Sequence, residues 1–232
     1  MNVRQFQYFE DNLGYLVYGK EDAIAVDGGA VDEILFFIKS KGLKLKYVVN
    51  THTHPDHTSG NKSLIDKTGA VFISVDTLIM NKEIKLEGEK ITIFHTPGHS
   101  DDSIVFYFDN ILLTGDTLLN GKAGRCFTGD LKGFLRSIKH VMTFPENTLI
   151  YGGHNYVEEY METAINIEPD NEYIDDYIEK YDPSHVYSTL EEELKVNPSL
   201  RFNDKKMISI LKSRDLPTET EYDCWSSIVR IV

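Results

Sequence analysis

The sequence predicts an α/β fold followed by a small helical segment at its carboxyl end, and three observations carry that expectation. Short apolar runs alternate with helical spacings over the first two-thirds of the chain. Several of those runs end in a turn bearing His or Asp, which is where open α/β sheets present their chemistry. From Val157 onward strand signals fade, and Glu- and Tyr-rich helical patterns take over.

Residues 3–9 and 13–19 alternate apolar with polar side chains, broken near Asn12 and Gly14. Residues 22–27 form a short apolar run ending at Asp27-Gly28-Gly29, so the three read as adjacent strands joined by turns. Val31, Ile34, Leu35 and Ile38 then recur at helical spacing up to Gly42. Tyr47-Val48-Val49-Asn50 reads as a buried strand, and a helix is expected from about Ser59 to Lys67. Strand signals follow at 70–74, 90–95, 103–108 and 111–114. Leu131, Phe134, Leu135, Ile138, Val141 and Met142 space an amphipathic helix over 130–144, and 148–151 is a further strand. Helical patterns at 157–167, 170–181, 189–195, 204–213 and 218–229 are punctuated by Pro169, Pro183, Pro198 and Pro217. The expected division is an α/β domain at 1–156 and a helical domain at 157–232.

Composition narrows the function classes. With 41% hydrophobic and 26% charged residues, the 232-residue chain is ordinary for a globular protein with a sizeable core. No apolar run suggests a signal peptide or a membrane span, and Cys126 and Cys224 are too few and too far apart for a disulfide framework or a thiolate zinc site. A reducing cytoplasm is therefore the expected location. The net charge of −13 is concentrated late: residues 155–232 carry 18 acidic and 8 basic side chains. Such a field repels polyanions, so no nucleic-acid partner is expected.

The densest chemical signal is Thr51-His52-Thr53-His54-Pro55-Asp56-His57, three imidazoles and a carboxylate in seven positions. Neutral imidazole and carboxylate are the donors borderline divalent metals take. His52 and His54 leave one side of an extended segment, while Asp56 and His57 follow Pro55 into a helix start, so one stretch can begin two adjacent sites. A single such histidine is more simply a helix cap; a cluster of this density is not. Further on, Gly98-His99, Gly115-Asp116 and Gly153-His154 each follow an apolar run and a turn. Any one alone is as well explained as a structural turn, but together they imply convergence. His95, His140 and His185 lie in apolar or helical contexts and are expected to be packed or surface residues. Asp27 either shapes its Asp-Gly-Gly turn or orients a metal-bound imidazole.

The run Thr-His-x-His-x-Asp-His with downstream His, Asp and His resembles the metallo-β-lactamase superfamily. The resemblance implies an αββα sandwich, with His52, His54 and His99 on one metal, Asp56, His57 and His154 on a second, and Asp116 bridging. Lactamases usually have Cys in place of Asp116, which disfavours that activity. Gly124-Arg125-Cys126-Phe127-Thr128-Gly129, Gly153-His154-Asn155-Tyr156, Glu168-Pro169-Asp170-Asn171 and Ser188 to Glu193 with Asn197-Pro198 resemble glyoxalase II, the hydroxyacylglutathione hydrolases, over nearly the whole chain. That resemblance implies a catalytic domain at 1–156 and a substrate-binding one at 157–232, with Arg125, Phe127 and Tyr156 as contacts to a small-molecule thioester such as S-lactoylglutathione. Two divalent cations, zinc favoured with iron or manganese also accommodated, would sit about 3.5–4 Å apart and lower the pKa of a bridging water from 15.7 towards 7. Asp56 and Asp116 are thus the carboxylates expected to take part in catalysis.

The carboxyl end departs from that family. Glutathione-specific members commonly end with an Arg and Lys pair, whereas Trp225 to Val232 offers only Arg230, which leaves coenzyme A and bacillithiol open as alternative thiol carriers. A persulfide dioxygenase with one iron is the competing enzyme class, and the complete second donor set speaks against it. A nuclease of the same superfamily is disfavoured by the acidic tail, and a non-catalytic relative by the absence of any lost donor.

Overall fold

The computed structural model describes residues 1–232. Its first sheet is laid down by β1 (Asn2–Tyr8), β2 (Asn12–Tyr18) and β3 (Asp22–Val26), each antiparallel to the next, and is continued in parallel by β4 (Lys44–Val49) and β5 (Val71–Phe72). The crossovers are α1 (Val31–Lys41), ended by the left-handed Gly42, and the pair α2 (Pro55–Thr58) and α3 (Asn61–Thr68). The helix expected from Ser59 to Lys67 is α3, and the short α2 precedes it as a separate turn. Gly60 sits between them against the backbone of Gly28, where a Cβ would come 2.0 Å from the Gly28 carbonyl oxygen.

After α4 (Val75–Asn81), the second sheet begins as a meander of β6 (Glu83–Leu86), β7 (Glu89–His95), β8 (Ile104–Phe108) and β9 (Ile111–Gly115). A small hairpin, β10 (Leu118–Leu119) with β11 (Lys122–Ala123), and α5 (Leu131–Val141) precede β12 (Leu149–Gly152), which lies parallel to β9. Helices α6 (Val157–Ile167) and α7 (Tyr173–Lys180) follow, and β13 (Ser188–Thr189) adds the sheet's other edge. The chain ends in α8 (Leu190–Val196), a 3₁₀ turn at Pro198–Leu200, α9 (Lys205–Ser213) and α10 (Glu221–Ile231). α4 and β6 were not legible in the sequence: Ile84 and Leu86 are the only buried side chains of β6, between outward-facing charges.

Period-two alternation sorts the strands into three layers of contact. Tyr15, Val17, Ile24, Val26 and Val49 face Ile84, Ile91, Ile93, Ile104, Phe106 and Leu113 across the inter-sheet core. Their neighbours Leu16, Ala23, Ala25, Leu45 and Val48 pack outward against Ile34 and Ile38 of α1 and Leu64 of α3. Val105, Leu112 and Ile150 turn the other way, onto Phe134, Ile138 and Val141 of α5 and Trp225 and Ile228 of α10. The architecture is therefore the αββα sandwich. The late helices join these cores: Val157, Tyr160, Met161 and Tyr177 extend the inter-sheet one, and Met207, Leu211 and Trp225 the outer one. α10 starts at Glu221 because Thr220 and Asp223 form a reciprocal capping box.

Candidate metal centre

Both sheets end at one rim. The segment after β4 delivers His52, His54, Asp56 and His57; the turn after β7 delivers His99; β9 and β12, parallel with Gly115 opposite Gly152, deliver Asp116 and His154 side by side. A backbone bond from Ile104 N to Thr51 O (2.8 Å) ties the two sheets together just there.

All seven expected donors converge. His54 Nδ1 lies 3.0 Å from both His52 Nε2 and His99 Nε2, and His99 Nε2 is 3.4 Å from Asp116 Oδ2. On the other side His57 Nε2 is 3.3 Å from Asp56 Oδ2 and from His154 Nε2, and His154 Nε2 is 3.4 Å from Asp116 Oδ2. Three overlapping groups therefore form, His52 with His54 and His99, Asp56 with His57 and His154, and His52 with His57 and Asp116 between them, and Asp116 oxygens lie 3.4–3.5 Å from His57, His99 and His154. His95, His140 and His185 stay away: His95 meets the Asp101 carbonyl, His140 packs on Phe94 and Phe144, and His185 on Tyr151 and Tyr187.

The residues fit a cation. Imidazole nitrogens facing one another can share at most one proton per pair, and Asp116 Oδ1 is buried with no hydrogen-bond donor. Separations of 3.0–3.5 Å between donor atoms are close to the edge of about 3.3 Å that tetrahedral ligands 2.0–2.1 Å from zinc would span. Bare backbone closes the back of the site, since a Cβ at Gly153 would fall 2.2 Å from Asp116 Oδ1 and one at Gly124 1.8 Å from the Asp116 carbonyl oxygen.

Four of the five imidazoles, those of His52, His57, His99 and His154, are aimed by a contact on the far nitrogen. Asp27, fully buried, accepts from His57 Nδ1 (3.0 Å), from the Thr51 hydroxyl (2.6 Å) and from the Thr51 backbone N–H (2.9 Å). His52 Nδ1 lies 3.1 Å from that hydroxyl, His99 Nδ1 donates to the Arg125 carbonyl (2.9 Å), and His154 Nδ1 donates to Asp11 (2.8 Å). The Asn12 amide donates to Asp56 Oδ2 (2.8 Å), and the Tyr8 hydroxyl to the Asp56 carbonyl (3.2 Å). Asp27 also takes a left-handed φ of 51°, so it shapes the turn and contacts the imidazole at once. Asp11, Asn12, Tyr8 and Thr51 escaped the sequence reading; a polar pair at a hairpin tip carries no local signal of what it faces.

Electrostatics follow from this packing. Burial, reinforced by the neighbouring His57, depresses the His52 pKa to about 3, which keeps the ring neutral. For His57 burial works downward too, but Asp27 and Asp116 outweigh it and raise the pKa well above its ordinary value. Burial pushes the Asp116 carboxyl up, yet contacts with His154 and His57 hold it well below the usual carboxylate range. A divalent cation would replace the proton these carboxylates draw onto His57.

Three further side chains stand at the mouth. Phe127, 59% exposed, sets its ring 5.7 Å from His54 and 5.2 Å from His99, with the Arg125 guanidinium 5.1 Å above it. Tyr156 stacks on His154 at 5.2 Å with planes 5° apart.

The metallo-β-lactamase superfamily profile matches residues 10–83 and 72–154, the span that holds every converging donor. The hydroxyacylglutathione hydrolase of Pelagibacter ubique is 34% identical over 93% of this chain and 98% of its own. The chain belongs to the hydroxyacylglutathione hydrolase (glyoxalase II) family of that superfamily. The counterpart from Idiomarina loihiensis is 30% identical over 90% of this chain and 89% of its own. The fold also matches the crystal structure of ETHE1 from Myxococcus xanthus, with a TM-score of 0.67, 24% identity and coverage of 94% and 92% of the two chains. Family membership accounts for the His and Asp cluster as a divalent-metal centre, and no helix is long and apolar enough to cross a membrane.

Proposed function

We propose that this protein is a dinuclear, metal-dependent thioester hydrolase that cleaves S-(2-hydroxyacyl)glutathione, such as S-lactoylglutathione, to the hydroxy acid and free thiol. The observation that carries the reading is the pair of donor groups sharing Asp116. His52, His54 and His99 would hold one cation and Asp56, His57 and His154 the other, with Asp116 common to both. Zinc is the favoured metal, and the same nitrogen and oxygen donors accept iron or manganese. When bound, the cations supply Lewis acidity towards a carbonyl oxygen and a lowered pKa for water.

The chain's own residues do the rest. Asp27, Asp11, the Thr51 hydroxyl and the Arg125 carbonyl fix which nitrogen of His57, His154, His52 and His99 faces inward, so no ring rotation is needed for these donors to act. Asn12 holds the Asp56 carboxylate in place. Phe127 and Tyr156 flank the histidines as apolar walls for the acyl and thiol portions, and Arg125 offers a cation to a peptide carboxylate. The departing thiol, with an ordinary pKa of about 8.5, leaves as thiolate without a protein acid. The helical segment 157–232 serves as the substrate-facing side, and the setting is the cytoplasm, consistent with Cys126 and Cys224 as free thiols. The partner is the small-molecule thioester, since a net charge of −13 suits neither nucleic acid nor anionic membrane.

The test is a hydrolysis panel over lactoyl thioesters of several thiols with metal analysis and oxygen uptake on the same sample. Two metals per chain with thiol release meets the proposal; oxygen consumption by a one-iron protein would replace it with the dioxygenase reading.

A further inference from the structure

Beside the metal centre lies a cavity of about 520 Å³ whose walls include Lys122, Gly124, Arg125, Cys126, Ser199 and Val229. No acidic side chain lines it, although the whole protein carries a net charge of −13. Its two cations sit on rings and pair with no carboxylate. The Arg125 guanidinium is 5.1 Å above Phe127, and the Lys122 ammonium is 5.0 Å above Tyr160.

Each of those rings leads back to the histidines. Phe127 abuts His54 and His99 directly. Tyr160 meets Tyr156 edge-on at 5.6 Å, and Tyr156 stacks on His154. Two aromatic arms therefore run outward from opposite halves of the centre, each tipped by a cation at the same cavity. The tips lie at most roughly 10 and 16 Å out along these steps, the reach of three to five extended residues at about 3.3–3.6 Å each.

Resting on the thioesterase reading above, we propose that Lys122 is a specificity-determining residue: with Arg125 it selects thiol carriers of peptide size that bear two separated carboxylates. Lys122 lies on the hairpin β10–β11, and Val229 and Val232 of the carboxyl end add only apolar surface to the same cavity. Half-burial already lowers the Lys122 pKa, with Glu159 pulling it back, so a ligand carboxylate would meet an ammonium that burial has partly stripped of water.

The experiment measures binding of S-methylglutathione, an unreactive probe, and of its dimethyl ester by calorimetry to the wild-type protein, Lys122→Gln and Lys122→Arg. Lys122→Gln should raise Kd for the free acid about tenfold, the loss expected for one charge-assisted hydrogen bond, and Lys122→Arg should recover most of it. The ester should bind weakly to all three. Equal Kd values for the acid in wild type and Lys122→Gln, or equal weakening of acid and ester, overturn the assignment. Turnover of S-lactoylglutathione by the wild type is scored separately: charge-selective binding without turnover removes the hydrolase reading and leaves Lys122 as the anion contact.

Discussion

Replacing Asp27 by Asn keeps its volume and removes one acceptor, and the structure dictates where the loss falls. Oδ1 accepts from the Thr51 backbone N–H at 2.9 Å, which cannot turn away, so the amide oxygen must stay there. The new NH₂ then points at the Thr51 hydroxyl and at His57 Nδ1, formerly 2.6 and 3.0 Å from Oδ2. His57 can meet a donor only by accepting at Nδ1, which puts its proton on Nε2, the atom 3.3 Å from both Asp56 and His154. Metal can bind there only after that proton is expelled. The expected cost is about 10–100-fold in affinity for the Asp56, His57 and His154 group, or about 1.4–2.7 kcal/mol. Equilibrium competition with a chelator, read with metal stoichiometry and far-ultraviolet circular dichroism to confirm folding, measures it. Two metals per folded chain held within about twofold of the wild-type affinity would refute the claim that Asp27 sets the His57 tautomer.

Other outcomes follow from the same geometry. Asp116→Ala should lose bound metal and turnover together, and full activity in a metal-depleted variant would count against a shared carboxylate. Phe127→Ala should raise KM by about fivefold while changing kcat less, because an exposed ring beside the histidines contributes to binding in ground and transition states alike; steady-state kinetics with saturating metal decide this. Glu87 accepts backbone N–H groups of Asp22, Glu21 and Lys20, which pull its pKa from 4.5 to about 2. A depressed carboxyl stabilises the fold above its unfolded value and ceases to as pH falls through the folded one. The Tm difference between wild type and Glu87→Gln should therefore be constant above about pH 5 and shrink progressively below it. A constant difference down to about pH 3 would show that those bonds do not favour the charged form.

The converging donors were legible because four of them crowd into residues 51–57 and the other three, His99, Asp116 and His154, share a local grammar, an apolar strand, a turn, then one His or Asp. What aims those donors was not. Asp11 reaches His154 across 143 positions, and the partner of His99 is a main-chain carbonyl, which any residue type supplies. Asp27 was half legible, since its Asp-Gly-Gly context explained the turn without revealing the buried imidazole beside it. Among the elements, long amphipathic stretches such as 131–141 read clearly, while α4 and β6, seven and four residues long, are too short to display a period.

The carboxyl-terminal helix serves two masters. Trp225 is wholly enclosed between Phe134 and Phe202, while Val229, one turn further on, borders the cavity beside Arg125. Drift in that helix that retunes which thiol is accepted therefore also risks loosening the layer beneath the second sheet. Ligand preference in this lineage should diversify more freely through the short hairpin carrying Lys122 than through the terminus, and grafting a foreign tail would require repacking around the indole.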